Sequence, residues 1–237
     1  MKKLAALALA AITAAPALAQ NVAPEDFNKK YQRYHDIRAR LDVTASRYDN
    51  FSVVHKFGRS DAVNTTLAPI TLSEYYAVPT NATALEVVST STDDAAGGSG
   101  ARQVLIQGLG ADWLEQTELV NLNGTTAVDS TQTWLRVYRA YVTESGTYAT
   151  QSASSHAGNI SIRVDGGGQE WALIAVEDSF GKGQTEIAVY TVPSNKIAYV
   201  SSIALEVEGT KAVNFLFFQR PNCDDVSAPF SSMRVFQ

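Results

Sequence analysis

From residue 84 to residue 142 apolar and polar positions alternate through the runs ALEVVSTS, RQVLIQGLG, LEQTELVNL and TWLRVYRAYV. A period of two puts successive side chains on opposite faces, so these runs predict strands with one face buried. The segment TDDAAGGSGA, after the first run, has small residues and no apolar period, which predicts a loop. Asn123-Gly124 stands between two runs and favours a type I′ turn, whose central positions both need φ > 0. Together these features predict a β-meander. Strands are also predicted at 65–76, 159–164, 171–176, 186–192 and 197–208. Asp165-Gly166-Gly167-Gly168 reads as a hairpin connection and Pro193-Ser194-Asn195 as a tight turn. Residues 143–158, rich in Ser, Thr, Ala and Gly, read as a long surface loop. The run 212–219 has Val213, Phe215, Leu216, Phe217 and Phe218 without alternation, predicting a strand covered on both faces. Roughly nine or ten short strands at regular spacing indicate an all-β protein, an antiparallel β-sandwich of jelly-roll-like type.

A different period precedes this region. Phe27, Tyr31, Tyr34, Ile37 and Leu41 recur at helical spacing, with Lys29, Lys30, Arg33, Arg38 and Arg40 mostly off that stripe. Pro24 suits a first helical turn, and Glu25 and Asp26 suit the positive end of its dipole. The reading is one amphipathic helix over 22–43, then a mobile or weakly extended connector over 47–60. Its stripe either packs on the protein's own sheet or is an assembly contact. Further upstream, Lys2 and Lys3, an apolar stretch from Leu4 to Leu18 and Ala17-Leu18-Ala19 have the form of a signal peptide. Pro16 interrupts that stretch, which is shorter than the roughly 20 apolar residues of a membrane span. The expected organisation is therefore a leader at 1–19, helix and connector at 20–64, and a β-sandwich domain at 65–237.

Composition narrows the chemistry. With 45 % hydrophobic and 18 % charged residues, the 237-residue chain can build a core. A formal charge of −5 without a basic block gives no nucleic-acid surface. The single cysteine, Cys223, excludes an intramolecular disulfide and a cysteine-based metal site. His35, His55 and His156 lack metal-ligand spacing. His156 follows Ser152, Ser154 and Ser155, but no nucleophile motif accompanies them. Asp93-Asp94, Glu115 with Glu118, and Asp224-Asp225 are the acidic pairs, and Asp93-Asp94 lacks the spaced ligands of a calcium loop. No catalytic, cofactor-binding or metal-ligating set is read. Trp134, Arg136 and Tyr138 share one face of a predicted strand, as a sheet-edge contact or a sugar-stacking surface.

Several segments match in wording as well as pattern: Asp94-Ala-Ala-Gly-Gly-Ser-Gly-Ala-Arg102, Val104-Leu-Ile-Gln-Gly-Leu109, Glu118-Leu-Val-Asn-Leu-Asn-Gly-Thr125, Leu135-Arg-Val-Tyr-Arg139, Gly158-Asn-Ile160 and Tyr190-Thr-Val-Pro193. In order and spacing this set, about half the chain, resembles a family of structural virion proteins of tailed bacteriophages, most familiar from marine phages. The resemblance implies a β-rich capsid-decorating or fibre protein without enzymatic activity, associating with copies of itself and with other particle proteins. It also implies location in the virion. The leader instead implies export to the periplasm or beyond. A carbohydrate- or surface-binding module of the exported kind is the alternative reading, with a glycan as ligand and no stable membrane span.

Overall fold

A computed structural model describes residues 6–16, 52–146, 154–177, 180–207, 212–220, 222, 224–225 and 227–236. They are all-β and antiparallel. In chain order the strands are β1 (Ala6–Pro16), β2 (Ser52–Gly58), β3 (Thr83–Ser89), β4 (Ala101–Leu109), β5 (Glu115–Asn121), β6 (Val128–Trp134) and β7 (Arg136–Ser145). There follow β8 (Ile160–Val164), β9 (Glu170–Ile174), β10 (Val176–Glu177), β11 (Phe180–Gly181), β12 (Lys196–Val207), β13 (Phe215–Gln219) and β14 (Ser231–Phe236).

One sheet has the order β6-β3-β8-β9 and another β5-β4-β7. Their inward positions form a single cluster that includes Leu85 and Val87, Val104 and Ile106, Val137, Ile160 and Ile162, Trp171 and Ile174. Each follows from alternation: in β5 the pattern buries Glu118 and Val120 while Thr117, Leu119 and Asn121 face out. Burying an aliphatic side chain of this size stabilises by about 1.5–3 kcal/mol, so the cluster is the main source of cohesion. Separate from these sheets are β12-β1-β2 and the two-stranded pairs β10-β11 and β13-β14.

The predicted meander is not what forms. The chain passes from one sheet to the other after β3, after β5 and at Leu135, so TWLRVYRAYV is two strands in two sheets. Only β4 and β5 make a hairpin there. The turn after β5 also differs from type I′. Thr126 N donates to Asn123 O (3.1 Å), so Gly124 and Thr125 are its central pair. Gly124 has φ +63° and Asn123 is not among the positive-φ residues, a pattern that belongs to type II′.

Four other expectations are corrected. The 47–60 connector contains a strand, β2. Residues 65–76 and 186–192 make one isolated bridge, Thr71 with Ile187, instead of ladders. In the supposed surface loop, Ser155, His156 and Gly158 are buried. In β13, Leu216 is 40 % exposed, so that strand is not covered on both faces among the described residues. The apolar run read as a leader contributes β1 (Ala6–Pro16), paired with β2 and β12. The helix read at 22–43 lies outside the described residues.

Candidate functional site

Two polar constellations stand out against the apolar core, one at each end of β4. The first is centred on Asp94, which is fully buried in the loop before that strand. Its Oδ1 accepts from Ala101 N (2.7 Å) and Ala157 N (2.8 Å), and its Oδ2 from Gly158 N (2.8 Å) and the Ser89 hydroxyl (2.5 Å). Its backbone oxygen takes Gly124 N (2.7 Å). One residue thus ties the end of β3, the start of β4, the turn after β5 and the approach to β8. Small residues make room for it: a Cβ on Gly100 would stand 2.1 Å from Asp94 Oδ1, and one on Gly158 2.5 Å from Ser91 N. Around this centre Arg102 Nε donates to Gly98 O (3.0 Å), and Asn159 Oδ1 accepts from Val176 N (2.8 Å).

His156 belongs to the same constellation. Its Nδ1 lies 3.0 Å from Gly158 O and its Nε2 accepts from Gly183 N at 3.4 Å. That network assigns the proton of a neutral ring to Nδ1. Burial pushes its pKa down, opposed by the Asp94 charge. Ser154 Oγ donates to His156 O (2.6 Å), a backbone atom. Both ring nitrogens meet backbone groups, so the imagined serine–histidine pair is not assembled.

The second constellation lies beyond the other end of β4. Glu115 Oε1 accepts from the Tyr138 hydroxyl (3.2 Å) and the Tyr190 hydroxyl (3.5 Å), while Lys196 Nζ binds Oε2. The two tyrosine rings meet edge to face, centroids 5.1 Å apart. Burial, then the Glu115 charge, pushes both phenols well above their ordinary pKa. Behind Tyr138, the buried Lys56 ammonium donates to Tyr138 O and lies 5.7 Å from its ring centroid. Burial foremost, with Arg139 adding repulsion, lowers the Lys56 pKa to about 7. At the β4–β5 turn, Arg136 lies 4.9 Å from the Trp113 ring centroid.

The sugar-facing role read for Trp134, Arg136 and Tyr138 does not survive their burial, at 0 %, 1 % and 9 % exposure. The strand break at Leu135 and the crossing between sheets turn Trp134 into the core, and Arg136 spends its guanidinium on Leu135 O (2.6 Å) and Trp113. Trp113 and Tyr190 are partly exposed aromatics near them. Trp113 is one of the three tryptophans, with Trp134 and Trp171, that the sequence offers for stacking on a sugar; Tyr190 was missed because it sits in a run mistaken for a strand. The proposed assembly residues Phe27, Tyr31, Tyr34, Ile37 and Leu41 lie outside the described residues, as does Cys223.

Glu86, Asp129 and Asp165 form the one carboxylate trio found among the described residues, with ligand oxygens within 4.8 Å of one another. Glu86 is already engaged by Arg163 Nε (2.5 Å) and by Gly166 and Gly167 N (3.1 Å each), which makes it a clamp on the β8–β9 turn. A groove of about 560 Å³ between 60–70 and 212–216 is lined by residues such as Val63, Leu67 and Phe215, and no charged side chain among the described residues lines it. No helix among the described residues is long and apolar enough to cross a membrane. Comparison with protein-family models, curated proteins and solved structures finds no match.

Proposed function

We propose that this chain is a non-enzymatic structural protein, a β-sandwich block that works in copies on the surface of a phage-like particle, as decoration or fibre component. The observation that carries the reading is the Asp94 constellation. Asp94 with Gly100, then Gly124, then Gly158 with Asn159 come from three segments of the virion-protein resemblance, and these segments meet around one buried carboxylate. Their shared role is to brace loops, which supports a scaffold. The nearest residues to a hydrolase pair, His156 with Ser154, make backbone contacts in the same brace. The sandwich itself is supported by the common core of the two larger sheets.

Antibodies against the purified protein provide the test. Gold-labelled antibody on density-purified particles from the source culture should decorate particle surfaces at regular positions. Antigen confined to soluble secreted fractions would overturn the particle assignment.

A further inference from the structure

The β4–β5 hairpin is closed by Gly110 N donating to Leu114 O (3.1 Å), and within it Trp113 N donates to Gly110 O (3.0 Å). That is a three-residue loop, a tight turn followed by one residue in the left-handed region, where glycine ordinarily sits. Here the position holds Trp113, at φ +62°. A Cβ in this region crowds the backbone, so a bulky residue is held there at a cost. The loop pins it from both sides: Leu114 N donates to Asp112 Oδ1 (3.0 Å), and Ser194 N to Trp113 O (3.0 Å).

The surroundings show what such a ring could meet. Trp113 is partly exposed, and among the described residues no acceptor takes its indole N–H. Next to it Leu114 is 38 % exposed. The second bond, from Ser194, brings the 193–196 turn alongside and with it Lys196, whose ammonium pairs with Glu115 under Tyr190. The Glu115 and Lys196 side chains are 36 % and 28 % exposed. Aromatic faces, an indole donor and a compensated carboxylate–ammonium pair therefore converge on one end of the molecule.

We propose that this surface, Trp113 with Tyr190, Glu115 and Lys196, binds a neutral saccharide. A pyranose offers an apolar C–H face to the rings. Its hydroxyls both donate and accept, so they match a carboxylate and an ammonium lying side by side. Glu115 and Lys196 compensate each other, and the exposed Asp112 carboxylate of the same loop disfavours an anion or a nucleic acid. This surface would operate whether or not the chain assembles in copies.

The test uses the full chain and two variants on an array of neutral glycans, with titration of the best hit by calorimetry. Trp113→Gly removes the ring while suiting the left-handed φ, so the variant should stay folded by circular dichroism while losing at least tenfold in affinity. Glu115→Gln should weaken binding similarly with Trp113 still in place. An array silent at millimolar glycan would overturn the proposal. So would a Trp113→Gly variant that binds as well as the parent.

Discussion

A carboxylate fully removed from water needs donors to replace its hydration, and Asp94 has four. Asp94→Ala leaves three backbone N–H groups and a hydroxyl without their acceptor, at about 1–3 kcal/mol each where they stay buried. The predicted loss is at least about 3 kcal/mol, read as a lower urea midpoint with an unchanged slope. Little of this was legible beforehand: in sequence Asp94 is one more loop aspartate, and two of its donors are 63 and 64 residues away. Lys56 makes the opposite kind of prediction. Its ammonium has a backbone carbonyl and a ring for company, and its pKa falls from 10.5 to about 7. Between those values the unfolded chain holds the proton more tightly, so stability should rise with pH from about 7 to about 10.5. Lys56→Met should flatten that rise and be more stable than the parent at pH 7, as urea titrations at several pH values would show.

At the scale of elements, the strands that could be read were those whose alternation reports a single buried face. Alternation puts Leu105 or Val104, Val137, Ile162 and Ile174 inside; Val104, Val137, Ile162 and Ile174 are buried, while Leu105 is partly exposed. What alternation cannot report is a change of sheet. TWLRVYRAYV keeps burying residues on both sides of Leu135, so the crossing leaves no mark in the pattern. Turn type was misread for a related reason: Asn-Gly marks a turn, but tertiary bonds to Asp94 and Thr126 decide which residues are central. Gly124→Ala should therefore cost about 1–2 kcal/mol, since it puts a Cβ at positive φ. Asn123→Ala, at an exposed position without positive φ, should stay within about 0.5 kcal/mol. Equal losses in thermal melts would restore the type I′ assignment. The β8–β9 turn adds an acid limb. Burial opposes ionisation of Glu86, but Arg163 and the two glycine amides outweigh it and lower its pKa. Its contribution is present above the unfolded value of 4.5 and lost as pH falls through the lower folded value. Glu86→Gln should remove that part of the acid dependence.

For the whole molecule, the all-β class was legible because many short alternating runs admit few other solutions. The order β6-β3-β8-β9 against β5-β4-β7 was not, because strand pairing depends on long-range contacts that local periodicity does not encode. The amino terminus carries two readings with separable outcomes. A cleaved leader removes residues 1–19 and with them β1, which lies between β2 and β12. Intact-mass measurement on protein expressed with its own amino terminus in a Gram-negative host should find those residues gone, and retained Met1 would contradict the leader. The central claim is that the chain is a building block used in copies. Multi-angle light scattering of the purified protein at micromolar concentration tests it most directly. The account predicts one discrete mass at a small multiple of the chain mass. A monomer that persists across the concentration range would contradict it.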